Sequence, residues 1–203
     1  MAKSEPIRDI KEIEQIQVYY IGRGQIRNYV LFTVGIYTAL RISDLLNLKW
    51  DDVYNFSLNS FHNHLYIREQ KTKKIRKIAL NKNVIEALTL YRSTIPNSIA
   101  ETWLFPSRKK ANPISRIQAY RIIRNAVDEL NIQGNISCHS MRKIIGYHSW
   151  KVGVPLPLIS EIYNHSSEKV TKHYLGIRQD EIDEVYLRQN YKTKPRKAVK
   201  YEK

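Results

Sequence analysis

The stretch 26–48, IRNYVLFTVGIYTALRISDLLNL, decides how the rest of the chain is read. Apolar Ile26, Val30, Val34 and Tyr37 recur at spacings of three and four, which predicts one face of a helix. The pattern restarts at Ile42, Leu45, Leu46 and Leu48, so YTALRIS (37–43) reads as a helix end and a new start, with Arg41 at the joint. Downstream, from His64 to Leu80, the period changes to two. Leu65 and Ile67 mark one arm, Ile78 and Leu80 the other, and the polar Lys71–Lys74 between them predicts a β-hairpin. Helices are then expected over Val84–Tyr91 and Ser115–Leu130, the second burying Ile117, Tyr120, Ile123, Val127 and Leu130; ETWLFPS (101–107) is a loop. Ser137 is placed to cap a helix holding His139, Arg142, Ile145 and Trp150, which VGVPLP (152–157) breaks. A short helix LISEIY (158–163) and another from Glu168 through Tyr174 complete the expected fold, mainly α with a small antiparallel β-hairpin (α+β).

Composition bounds the function. The 203 residues suffice for one domain without a disulfide or metal staple. A hydrophobic content of 42% excludes a wholly disordered chain. The single cysteine, Cys138, cannot form an internal disulfide, no apolar run approaches a membrane span, and the start lacks a signal-peptide core. A cytoplasmic, nucleoid-associated protein with no membrane contact is expected. Lysine and arginine total 34 against 19 acidic residues, a net +15 that points to a polyanion, first of all nucleic acid. With seven glycines and seven prolines, no flexible linker divides the chain. Residues 1–24 read as a lead-in, 25–186 as the domain, and 187–203 as a basic tail.

Four separated pieces stand out: TALRISDLLNLKWDDV (38–53), KTKKIRKIAL (71–80), CHSMRK (138–143) and NHSSEKVTKHY (164–174). Together they resemble the catalytic domain of the tyrosine recombinases, the phage-integrase family, from about Gln25 to Gly176. The resemblance makes Arg41 and Arg142 a phosphate clamp, Lys71 the general acid, His139 and His165 the proton-handling and phosphate-bonding imidazoles, and Tyr174 the nucleophile. Lys71 is taken over Lys73 and Lys74 because it lies nine residues before Leu80, the register of the family's hairpin. Asp44 matches a family acid that orients the Arg41 guanidinium. Ala39 replaces the family's usual glycine, so a left-handed cap there would have to be rearranged; Asn164 replaces another and tolerates positive φ well. Most members carry a separate N-terminal DNA-binding domain, so the chain resembles a single-domain member or an excised catalytic half.

These residue types suit phosphodiester chemistry. Guanidiniums stay charged at any working pH and present planar, bidentate donors to non-bridging oxygens. The resemblance implies double-stranded DNA as substrate, a 3′-phosphotyrosyl intermediate, no cofactor or metal, and a protein that is a monomer when free and a tetramer on DNA. The basic residues Lys73, Lys74, Arg76, Arg108, Lys109 and Lys110 are further DNA-contact candidates. Ile182, Val185 and Tyr186, at helical spacing, are expected to dock on a neighbouring protomer. Singly, each residue has a bland reading: Arg41 with Asp44 an ion pair, Lys71 a solvated turn, Tyr174 one of fourteen tyrosines. His62 and His64 beside Cys138 lack metal-site spacing, and His148 and His173 read as packing or surface residues. A type IB topoisomerase-like enzyme and a non-catalytic DNA-binding regulator are the alternatives.

Overall fold

The structure, a computed structural model, describes residues 4–95, 102–108, 112–177, 184–189 and 191. Helix α1 (Ile10–Gly22) precedes the central α2 (Ile26–Thr38) and the short α3 (Ile42–Leu46). A 3₁₀ turn, Trp50–Asp52, leads into two small antiparallel hairpins: β1 (Tyr54–Asn55) with β2 (Ser60–Phe61), and β3 (His64–Arg68) with β4 (Ile75–Ala79). Then follow α4 (Lys82–Arg92), α5 (Arg116–Glu129), α6 (Cys138–Lys151), α7 (Leu156–Tyr163) and α8 (Glu168–Leu175). No helix among the described residues is long and apolar enough to cross a membrane.

Helix α2 packs against α1, α4 and α6 at once. It is accordingly buried well beyond one stripe, with Leu31, Phe32 and Ile36 joining Val30 and Val34 in the core, as a helix surrounded on several sides requires. The predicted joint lies where expected: α2 stops at Thr38 and Arg41 is the extended N-cap of α3. The hairpin also holds, with Leu65 opposite Ile78 and Ile67 opposite Arg76.

Three expectations change. The lead-in 1–24 contains α1, whose Ile13, Ile16 and Tyr20 enter the core together with Ile7. On α5, Ile117 is 64% and Tyr120 49% exposed; the buried stripe is Ala119, Ile123, Ala126 and Val127. Small alanines let α5 approach its neighbours, and the larger residues before them are turned out. Ala39 does adopt the left-handed conformation (φ 52, ψ 29), without glycine. That costs about 1 kcal/mol for a residue with a Cβ. Its carbonyl accepts a hydrogen bond from Arg142, and Arg76 reaches both the Thr38 and Ala39 carbonyls at 3.4 Å. Two cations thus cap the negative end of α2 and offset the strain.

Helices α7 and α8 join the rest through a small cluster of Ile159, Tyr163, Leu175 and Ala39. Gly146 on α6 makes this contact possible, because an added Cβ would collide with the Tyr163 ring. The Tyr163 hydroxyl accepts from the Gly146 amide (3.1 Å) and donates to the Arg142 carbonyl (2.8 Å), which fixes the ring under the middle of α6. Asn164 ends α7 at φ 54, as its side chain tolerates.

Candidate active site

The site is organised around a carboxylate. The β3–β4 turn is closed by the Glu69 amide donating to the Lys74 carbonyl and the Lys73 amide donating to that of Glu69, both at 2.9 Å. Continuing the inward alternation of Leu65 and Ile67, Glu69 is fully buried. Its Oε2 lies 2.7 Å from Arg41 Nη1 and accepts the Thr72 hydroxyl at 2.6 Å; its Oε1 lies 3.3 Å from Arg76 Nη1 and 3.9 Å from Arg142 Nη1. Three guanidiniums this close repel strongly in a poorly solvated interior, and the carboxylate between them lowers that energy. Burial alone would raise the Glu69 carboxyl, but Thr72, Arg41 and Arg76 outweigh it and hold the group below the usual carboxylate range.

Two sequence assignments are corrected here. Asp44, buried, accepts the Gln70 amide at 3.0 Å and so fixes the hairpin; the acid paired with Arg41 is Glu69. Arg76 is not the free surface cation expected of a DNA-contact candidate: its side chain is only 10% exposed and engages Glu69 and the end of α2. Lys73, Lys74 and Arg108 are exposed, and Lys109 and Lys110 lie outside the described residues.

An open cleft of about 690 Å³ has Arg41, Lys71 and His139 in its lining, together with Gln70, Arg116 and Tyr120 among others. His139 stands in the first turn of α6, whose N-cap Ser137 accepts its amide at 3.3 Å, so the predicted cap aims the imidazole at the cleft mouth. Partial burial, then the charges of Lys143, Arg142, Arg116 and Arg41, pull the His139 pKa below its ordinary 6.5.

The Tyr163 ring is a common platform for three further candidates. Arg142 Cζ lies 5.2 Å from its centroid, the His165 ring stacks on it at 5.2 Å, and the Tyr174 ring packs at 5.1 Å. His165 and Tyr174 meet edge-on at 5.0 Å. His165 Nδ1 lies 3.0 Å from the Thr171 hydroxyl, which fixes the ring and leaves Nε2 for a ligand. Burial, then Arg142 and Arg41, lowers the His165 pKa as well. The Tyr174 hydroxyl is buried with no hydrogen bond satisfied. Burial raises its pKa, and the charges of Arg142 and Arg41 oppose that rise.

Sequence reading missed Glu69, Thr72 and Tyr163. Glu69 carried a signal, an acid in the inward register just past β3, in a hairpin otherwise rich in basic residues. Thr72 and Tyr163 carried none. Cys138 is buried, its thiol pushed up to about 11, and no group of three or more His, Cys, Asp or Glu among the described residues is arranged to hold a metal.

Residues 8–181 match the phage integrase family. The chain belongs to that family. This tyrosine recombinase is 36% identical over 182 residues to the probable integrase/recombinase YoeC of Bacillus subtilis strain 168, a match covering 90% of this chain and 94% of YoeC. The XerA recombinase shares its fold with a TM-score of 0.71 at 21% identity, over 94% of this chain and 66% of XerA. XerH, solved bound to a palindromic difH substrate as a post-cleavage complex, gives 0.68 at 17%, over 91% of this chain and 53% of XerH. The chain spans nearly all of YoeC and between half and two thirds of the two solved recombinases. The family match takes in the whole of α1. The function is site-specific DNA recombination.

Proposed function

We propose that this chain breaks and rejoins double-stranded DNA through a phosphotyrosyl intermediate on Tyr174. Arg41, Arg142 and His165 Nε2 bind the non-bridging oxygens of the scissile phosphate and stabilise charge as it develops, commonly the largest catalytic contribution. Tyr174 Oη attacks phosphorus, its proton passes to His139, the bond to the 5′-oxygen breaks, and Lys71 protonates that oxygen as it leaves. Ionising a phenol at pH 7 costs about 4 kcal/mol or more once burial has raised its pKa, and the paired guanidiniums offset part of that. Phenolate leaves more easily than an alkoxide, so a 5′-hydroxyl can attack the adduct and reseal the strand, with Lys71 and His139 reversing roles. The bond energy is kept throughout, so neither metal nor nucleotide is called for.

The observation that carries this reading is the convergence of Arg142, His165 and Tyr174 on one aromatic ring. A binding module needs no phenol there. The test uses plasmids carrying one or two copies of a duplex selected by this protein from a random-sequence library. Resolution or inversion that requires two copies is expected; relaxation of any supercoiled plasmid would favour a topoisomerase instead. The working assembly on paired sites is a tetramer, in the cytoplasm at the nucleoid. The tail from 187 lies mostly outside the described residues, as does Ile182, while Val185 and Tyr186 are exposed and available to a neighbouring protomer.

Lys71→Ala should slow cleavage of an ordinary phosphodiester about 10²–10⁴-fold. A substrate with sulfur at the bridging 5′ position, whose thiolate leaves without protonation, should restore the rate; failure to do so would take the acid's role from Lys71. The base gives a pH test. With the His139 pKa depressed, neutral imidazole persists below 6.5. At sub-saturating DNA, where the rate reports the free enzyme, the acid limb of the profile should lie below 6.5. A limb at or above that value would contradict His139 as the base.

A further inference from the structure

Helix α8 carries the nucleophile yet is only eight residues long, and α7 and a small apolar cluster are its main supports. A second support comes from the opposite end of the chain. Residues 4–8 run along one face of α6 toward the end of α8. The Glu5 amide donates to the Asn135 carbonyl at 3.1 Å. Lys143 Nζ donates to the Ser4 carbonyl at 2.5 Å, and His148 Nε2 lies 3.0 Å from the Ile7 carbonyl. Ile7 itself is buried in the core. Arg8 stacks over the Tyr147 ring at 4.9 Å, with Nη1 3.3 Å from the Tyr147 hydroxyl. Its Nη2 donates to the Gly176 carbonyl at 2.7 Å.

That last bond falls where α8 needs it. Gly176 is the left-handed C-cap of α8, two residues after Tyr174, and a cation there both bonds an end carbonyl and meets the negative end of the helix. Lys143 adds a second link, since its Nζ contacts the Ser4 carbonyl and also lies 4.9 Å from the Tyr174 ring centroid. The strap therefore touches the nucleophile's helix at its C-cap and, through Lys143, at the reacting ring.

We propose that residues 4–8 are a positioning strap for the nucleophile, and that Arg8 is a positioning residue which holds α8 so that Tyr174 is presented to the arginine clamp of its own chain. The inference rests on the phosphotyrosyl reading above. Arg8 itself touches no reacting atom; it fixes the register of the helix that carries one. Misplacing a reactive group by about 1 Å can cost about 10²-fold in rate, so a single remote hydrogen bond can matter this much.

The test is single-turnover covalent capture of a nicked duplex, selected from a random-sequence library by the wild-type protein, at saturating DNA. Arg8→Ala should form the adduct about 10- to 100-fold more slowly, with the dissociation constant for DNA within about threefold of wild type. Arg8→Lys, which keeps one cationic donor to the Gly176 carbonyl, should recover part of the rate. Amide hydrogen exchange supplies the readout that a general loss of folding cannot mimic. Exchange in α8 and at Ile177 should accelerate in Arg8→Ala while the amides of α2 keep wild-type protection. Capture by Arg8→Ala at the wild-type rate would overturn the strap, as would a slowing accompanied by loss of protection in α2. If wild-type protein itself forms no adduct, the phosphotyrosyl reading fails, a result distinct from either.

Discussion

Tyr174→Phe is expected to form no covalent complex with a nicked target duplex while binding it as tightly as the wild-type protein. The Tyr174 hydroxyl is buried without a hydrogen-bond partner and its ring packs on Tyr163 and His165, whereas the Tyr163 hydroxyl is committed to the Gly146 amide and the Arg142 carbonyl. Removing the oxygen leaves Arg41, Arg142, His139, His165 and Lys71 in place, so affinity should be unchanged. Stability should also move little, within about 1 kcal/mol. Deleting a buried hydroxyl that lacks a partner removes a desolvation cost rather than an interaction. The measurement is denaturing electrophoresis of protein–DNA mixtures beside urea unfolding. Residual adduct in the variant would remove Tyr174 from the chemistry.

The second large effect belongs to Glu69. Glu69→Ala should destabilise the protein by about 3–5 kcal/mol, because it strands Arg41, Arg76 and Arg142 around a void without their common counter-ion. Glu69→Gln keeps the shape but not the charge. It should cost less stability and still slow cleavage by about 10²–10³-fold, the loss typical when a charge-stabilising donor is disturbed. Linkage fixes the sign of the pH dependence. The folded carboxyl is held below its ordinary 4.5, so its stabilisation is complete above that value and fades as pH falls through the depressed one. The stability gap between wild type and Glu69→Gln should therefore be widest near neutrality and shrink below about pH 4. Urea unfolding from pH 3 to 7 measures it, and a gap that widens in acid would contradict the proposed ion-pair hub.

How much of this could be read from residues alone depends on the kind of signal each carried. The Arg41 joint, the hairpin and the Ser137 cap were legible because periodicity and capping chemistry are local. The amphipathic reading of α5 failed at Ile117 and Tyr120 because period alone cannot tell which of two neighbouring stripes faces inward; close approach through Ala119 and Ala126 decided it. The left-handed Ala39 was misjudged because its support comes from Arg142, 103 residues away, a contact no local rule contains. The Asp44 assignment failed for a similar reason. Spacing on one helix suggested an i, i+3 pair, but the β3–β4 turn delivers Glu69 to Arg41 and takes Asp44 for its own backbone. The order of the candidate residues along the chain was visible; the carboxylate that gathers Arg41, Arg76 and Arg142 was not.

The most direct test of the account is to find which side chain carries the DNA. Wild-type protein captured on a nicked duplex, digested with protease and nuclease and sequenced by mass spectrometry, should yield one modified peptide, bearing a 3′-phosphonucleotide on Tyr174. A label on Tyr163 or any other residue, or a linkage through the 5′ end of the cut strand, would contradict it.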